Sequence, residues 1–124
     1  MENQEIKQEI QEVEAIEAEK QEKKIDKYSV FEFIPKTPIK YEDKTYEKII
    51  FDFGKLKGTD AVAIEEEMEN QNSYALAPET SKVYQAKMAA RAGRVPSDLI
   101  ESLNLQDFNR ITNAARNFLL GVEL

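Results

Sequence analysis

The chain has 124 residues, of which 41% are hydrophobic and 33% charged, and its formal net charge is −7. It contains neither cysteine nor histidine, which excludes disulfides, thiolate zinc sites, imidazole metal ligands and histidine-based acid–base catalysis. A chain of this length forms one domain with a modest core. The composition therefore favours a binding protein without cofactor over an enzyme.

The acidic excess argues against nucleic-acid binding, because phosphates would be repelled from most of the surface. No apolar run approaches the roughly 18 residues that a membrane helix requires. The first residues lack the apolar segment of a secretory signal. A cytoplasmic protein that binds neither nucleic acid nor membrane is therefore expected.

Residues 1–27 form a segment rich in Glu, Gln and Lys, and this composition predicts a helical or disordered acidic tail. Its apolar residues recur at a spacing that would place them on one face of a helix. They are Ile6, Ile10, Val13 and Ile16. Two interpretations stay open: a solvated tail, or a helix that binds a partner through this apolar stripe. Residues 28–124 are predicted to form a single domain.

The first part of that domain has the pattern of β-strands. Aromatic and β-branched residues at 28–34 predict a strand, and residues 39–41 and 45–53 predict a hairpin. Asp43 is assigned the left-handed position of the hairpin turn. The pattern indicates a hairpin or a three-stranded antiparallel sheet. In the return strand, one face carries Tyr46, Lys48, Ile50 and Asp52 and the other carries Glu47, Ile49, Phe51 and Phe53, which predicts a half-buried sheet.

The second part predicts a bundle of three to four helices, which makes the fold class α+β. The predicted helical segments are 61–70, 78–92, 97–103 and 105–120. Thr59 or Asp60 is expected to cap the first helix, and Asn104 the last. Gly93 is expected to end the second helix as a left-handed C-cap, and Gly121 is expected to end the last helix. The clearest apolar face, predicted to pack in the core, comprises Phe108, Ile111, Ala115, Phe118 and Leu119.

A cluster of positive charge lies near the end of the second of these helices. Lys87, Arg91 and Arg94 follow one another at spacings of 4 and 3 residues. Positive charge at this position complements the helix dipole. The same side chains could instead bind an acidic partner helix, from another chain or from this chain's own tail. Both interpretations stay open, and nucleic acid is disfavoured because no aromatic residues interleave with these bases.

The order of elements over residues 33–120 resembles that of the phage tail assembly chaperones. The stretches that carry the resemblance are PIKYEDKTY (38–46), GTD (58–60), AARAGRVP (89–96), LNLQDF (103–108) and FL (118–119). Two departures stand out. Asp43 replaces a glycine that is common in the family's turn, and residues 51–57 lack an Arg-x-Pro sequence often found there.

The resemblance implies a late-expressed chaperone that acts in the host cytoplasm and is not part of the mature virion. Such a protein binds the tape measure protein, keeps it soluble and helps recruit tail tube protein. A homo-oligomer stays open. The first alternative is a structural tail component that is retained in the virion, and the second is a small nucleic-acid-binding regulator. The residues proposed for partner binding come from the pattern alone, and they are the charged cluster and the apolar stripe of the tail.

Overall fold

The computed structural model describes residues 26–124. Ile6, Ile10, Val13 and Ile16 lie outside the described residues. A β part is followed by helices, which confirms the predicted α+β class. The strands are β1 (Val30–Phe33), β2 (Ile39–Tyr41), β3 (Lys44–Tyr46) and β4 (Ile49–Asp52). The helices of this part of the chain are α1 (Gly58–Asn70), α2 (Lys82–Gly93), α3 (Ser97–Ser102) and α4 (Leu105–Leu120).

The strands form two separate antiparallel pairs. β2 pairs with β3 as the predicted hairpin, and β1 pairs with β4, so that the hairpin is inserted between the two outer strands. The predicted continuous strand over 45–53 is therefore wrong. It is divided at residues 47–48, because its two halves pair with different partners. The register places Phe33 opposite Ile49 and Phe31 opposite Phe51. These three phenylalanines therefore lie close together on the β1–β4 pair.

The hairpin turn differs from the prediction in one residue. Glu42 has φ 53°, whereas Asp43 is not among the residues with positive φ. The loop contains only these two residues, since Tyr41 pairs with Lys44. The assignment of the left-handed position to Asp43 was wrong because the short loop reverses the chain at its first residue.

The start of α1 lies earlier than predicted. Lys57 is the N-cap residue, and Asp60 occupies the third helical position. There its Oδ2 accepts a hydrogen bond of 2.8 Å from the Lys57 backbone N–H. Asp60 thus stabilises the helix start from inside the helix, and the prediction that Thr59 or Asp60 is the N-cap was wrong.

The remaining helix ends depend on short polar contacts. Pro78–Thr80 form a 3₁₀ turn, and α2 begins only after Ser81, whose hydroxyl accepts a hydrogen bond from the Tyr84 N–H. Asn104 caps α4 as predicted, because its Oδ1 accepts from the Asp107 N–H at 2.9 Å. Gly121 ends α4 with φ 71°, which also agrees with the prediction.

Gly93 has a different role from the one predicted. It is the last residue of α2, and Arg94, with φ 55°, takes the left-handed position after it. A Cβ atom at position 93 would lie 2.8 Å from two ring carbons of Phe51. Glycine is required here because α2 lies directly on β4.

The core joins the sheet to the helices. Phe33, Phe51 and Phe53 are completely buried, and the Phe53 ring stacks on Phe118 with centroids 5.6 Å apart. The predicted apolar face of α4 is confirmed in the core for two residues that are fully buried, Ile111 and Ala115.

The other residues of that face are less deeply placed. Phe108 and Phe118 are partly buried against the core. Leu119 is 40% exposed, and its assignment to the core was wrong. Successive helical residues point about 100° apart, so Leu119 turns to the surface when Phe118 faces inward. No helix within residues 26–124 is long and apolar enough to cross a membrane.

Candidate functional site

Lys87, Arg91 and Arg94, called here the charged edge, lie along the C-terminal half of α2 and just beyond it. The Nζ atom of Lys87 lies 3.1 Å from Glu67 Oε1, and the Lys87 side chain is only 2% exposed. The Nε atom of Arg91 donates to Asp60 Oδ1 at 2.9 Å. Both carboxylates belong to α1, so these two ion pairs join α1 to α2.

Asp60 combines the ion pair with its role at the helix start. The Lys57 backbone N–H and the Arg91 guanidinium both donate to this carboxylate. These hydrogen bonds, the first being the larger cause, hold the pKa of Asp60 below its ordinary value. Asp60 therefore stays ionised and keeps both contacts at neutral pH.

Arg94 differs from the other two residues of the charged edge. It is exposed, and it forms no ion pair within residues 26–124. An acidic helix does lie against Lys87 and Arg91, and it is α1 of the same chain. Binding of a separate partner at the charged edge stays a prediction, and of its three residues Arg94 is the accessible one.

An open apolar groove lies between α1 and α4, above the first half of α2. It encloses about 140 Å³. Ile64, Tyr84 and Met88 are its buried residues, whereas Leu119 is its most exposed apolar residue. Burial raises the pKa of the Tyr84 hydroxyl, with a smaller contribution from Glu65. The residues that line this apolar groove are Leu56, Lys57, Asp60, Ala61, Ile64, Tyr84, Met88, Phe118 and Leu119.

Two basic side chains, Lys82 of α2 and Arg116 of α4, lie near each other. The Nζ atom of Lys82 donates to Thr112 Oγ1 and Asn113 Oδ1, at 3.0 Å each. Burial and the nearby positive charge of Arg116 lower the pKa of Lys82. Neither base forms an ion pair with an acidic residue in the described part of the chain. Arg116 and Leu119 are neighbours on the helix surface, because they are three residues apart.

The first described residues lie next to the C-terminal residues. The Leu124 N–H donates to the Lys27 carbonyl at 2.9 Å, and Lys27 Nζ lies 3.7 Å from Glu123 Oε2. Asp26 accepts a hydrogen bond from the Tyr28 N–H, which together with a contact to Ser29 lowers the pKa of the carboxyl group. Asp26 and Lys27, assigned to the tail by composition, therefore contact the domain.

The groove has a largely apolar lining, whereas the charged edge consists of basic side chains and their acidic partners. Among residues 26–124, no cluster of three acidic side chains could hold a metal ion. Sequence reasoning identified the charged edge because its residues follow helical spacing. It missed the groove, whose lining comes from separate segments at 56–64, 84–88 and 118–119. The one feature of the sequence that could have indicated the groove was Leu119, an apolar residue directly after the inward-facing Phe118.

Comparisons with known proteins leave this description unchanged. The chain matches no protein-family model, no curated protein and no solved structure at a significant level. The resemblance to phage tail assembly chaperones thus depends on the order and pattern of the sequence elements.

Proposed function

We propose that this protein is a phage tail assembly chaperone. It binds the tape measure protein, keeps it soluble and helps recruit tail tube protein, and it acts in the host cytoplasm without entering the mature virion. The observation that best supports the proposal is the open apolar groove between α1 and α4. An aggregation-prone helical protein needs such a surface, on which its own apolar residues can be covered.

The size of the groove suits one large apolar side chain of a bound helix. Its volume of about 140 Å³ is close to the roughly 150 Å³ cavity that accepts a benzene ring. Burial of one leucine or phenylalanine side chain contributes about 1.5–3 kcal/mol. Further apolar contacts are available beyond the groove at the exposed residues Leu120 and Val122.

The groove is a better contact surface than the charged edge. Lys87 and Arg91 already bind carboxylates of α1, and a partner would have to replace those contacts. Removing one member of a buried ion pair leaves an uncompensated charge. The groove requires no such exchange, because only loosely held water has to leave its apolar lining.

Co-expression with the tape measure protein tests the proposal. The unmodified chain should keep the tape measure protein soluble and copurify with it. Leu119→Asp places a charge at the groove and should abolish both effects. Leu105→Asp is the matched control: it makes the same substitution in the same helix, at a residue that is 71% exposed and does not line the groove. This control variant should behave like the unmodified chain.

Each contrary result has a definite meaning. Failure of the unmodified chain to bind or solubilise the tape measure protein contradicts the proposed function. Equal behaviour of Leu119→Asp and Leu105→Asp removes the groove as the contact surface. Stoichiometric amounts of the chain in purified mature particles would favour a structural tail component instead.

A further inference from the structure

We infer that a cleft beside the charged edge is a binding site for a phosphate group. The cleft encloses about 310 Å³ and lies where the end of α2 and the start of α3 meet the side of α1. Its polar lining residues are Glu67, Lys87, Arg91, Arg94 and Ser97. The inference goes beyond the proposed function and does not rest on it, because the cleft and the apolar groove share no lining residue.

Lys87 supplies buried hydrogen-bond donors to this cleft. Its side chain is almost completely buried, and its Nζ atom donates a single hydrogen bond within residues 26–124, to Glu67 Oε1 at 3.1 Å. An ammonium group carries three N–H donors, so two of them have no acceptor in the described part of the chain. Unsatisfied donors on a buried charge are costly. An oxyanion in the cleft can accept from these donors without displacing Glu67.

The turn between α2 and α3 brings two further donors to the same cleft. The Val95 N–H donates to the Ala90 carbonyl at 3.0 Å, and this bond folds the chain back on the end of α2. Arg94 is exposed and has no acidic partner among the described residues. A guanidinium group can donate two parallel hydrogen bonds to phosphate oxygens, and the Ser97 hydroxyl can donate another.

The charges that line the cleft favour an anion. Three bases and one acid belong to the lining. Asp60 lies outside the lining and binds Arg91, and Glu67 binds Lys87, so the positive charge of Arg94 is left over. A small anion can balance this charge locally. A nucleic-acid strand would instead be repelled by the net charge of −7, so a small phosphate compound is the expected ligand.

The placement of the donors favours phosphate over a carboxylate. Lys87 and Arg94 are seven residues apart, which corresponds to about 10 Å along a helix. Their side chains therefore approach a shared ligand from different directions. A phosphate group has three acceptor oxygens even when it is esterified, whereas a carboxylate has two. The cleft volume of about 310 Å³ lies at the lower end of the range of small-molecule sites, roughly 300–1,000 Å³.

NMR titration of the full-length chain with inorganic phosphate tests the inference. The amide signals of Arg94 and Ser97 and the Nζ signal of Lys87 should shift together and saturate at millimolar phosphate. Potassium chloride at the same ionic strength should not cause these shifts. Absence of saturation, or equal shifts with chloride, would overturn the inference. A shift at Arg94 without a change at Lys87 Nζ would also overturn it, because only an exposed arginine would then be in contact.

Substitutions at exposed positions keep the domain folded and locate the contact. Arg94→Gln should weaken phosphate binding about tenfold or more, because it removes charge-assisted hydrogen bonds, and Ser97→Ala should weaken it less. Arg116→Gln is the matched control. It changes another exposed arginine that has no ion pair within residues 26–124 and does not line the cleft. Equal weakening by Arg94→Gln and Arg116→Gln would contradict the inference.

Two further ligands identify the source of the phosphate group. Tighter binding of phosphoserine than of inorganic phosphate would assign the site to a phosphate ester, whereas weaker binding would assign it to the free anion. Acetate should bind about tenfold or more weakly than phosphate, because it offers fewer acceptor oxygens and less charge. Equal affinity for acetate would overturn the assignment to phosphate. None of these titrations contains the tape measure protein, so their outcome is independent of the proposed function.

Discussion

Two surfaces border helix α1, and they differ in whether their side chains already have partners within the domain. On the charged edge, Lys87 and Arg91 are bound to Glu67 and Asp60. In the apolar groove, Ile64 and Met88 are buried in the domain, but Leu119 is left half open to solvent. The surface with the more conspicuous sequence pattern is therefore the one in which Lys87 and Arg91 are already paired within the domain.

The difference follows from the energetics of charge and apolar surface. A buried charge without a partner is very costly, so Lys87 can be buried only where a carboxylate reaches it. An open apolar groove costs much less, because many apolar groups stay on the surface of any folded protein. The patterned charges of Lys87 and Arg91 on α2 therefore serve contacts within the domain.

The largest expected effect is that of Lys87→Glu. It replaces the buried base with a carboxylate beside Glu67, whose side chain is 42% exposed, and should lower the free energy of unfolding by up to about 3–5 kcal/mol. Chemical denaturation measures the loss. Arg94→Glu is the control from the same edge and should cost at most about 1 kcal/mol, because it reverses an exposed charge at the end of α2.

The charge-swapped double variant sharpens this test. Lys87→Glu combined with Glu67→Lys restores opposite charges and should recover part of the lost stability. Unchanged stability in the single variant would show that the Lys87–Glu67 ion pair does not stabilise the domain, and the comparison would fail.

The second prediction compares two positions of α4. Ile111→Ala removes a completely buried side chain and should cost about 2–5 kcal/mol. Leu119→Ala, in the groove, should cost clearly less than Ile111→Ala, because part of its surface is already exposed. Thermal and denaturant unfolding measure both. Equal costs would mean that Leu119 belongs to the core and that the groove is not an available surface.

The third prediction concerns Arg91→Gln, which weakens the more accessible ion pair of the charged edge. NMR titration should place the pKa of Asp60 below the ordinary value of about 3.9 in the unmodified protein. The variant should raise this pKa without restoring the ordinary value, because the Lys57 N–H still donates to the carboxylate. A variant pKa identical to that of the unmodified protein would contradict the ion pair.

The lowered pKa of Asp60 determines how the contribution of this residue to stability changes with pH. Because the folded-state pKa of Asp60 is lowered, ionised Asp60 stabilises the fold above the ordinary aspartate pKa. This contribution is lost as the pH falls through the lowered pKa. Arg91→Gln should therefore reduce stability at neutral pH and leave it nearly unchanged in strong acid.

The smallest effect is expected from deletion of residues 1–25. It removes the acidic tail and leaves the groove and the charged edge intact. A cooperative thermal transition should persist, because the core cluster lies within residues 26–124. Loss of cooperativity would show that the tail is part of the folding unit.

The sequence by itself determined those features that depend on residues close together in the chain. Asn104 caps α4 because its side chain reaches the N–H of Asp107 three residues later, and Gly121 ends the same helix because it tolerates positive φ. Alternation along β4 predicts the burial of Ile49 and Phe51. The α+β class follows from the order of such local signals, since each is set by contacts within one or two turns.

Only the tertiary structure decided the features that depend on distant segments. Gly93 is needed because Phe51, more than forty residues earlier, touches the place of its missing side chain. Lys87 is buried because Glu67 reaches it from another helix. The groove forms where three separate segments meet, and no spacing along the chain records that meeting. Packing brings such residues together only after the whole domain folds, so local pattern identifies the helices but not the surface between them.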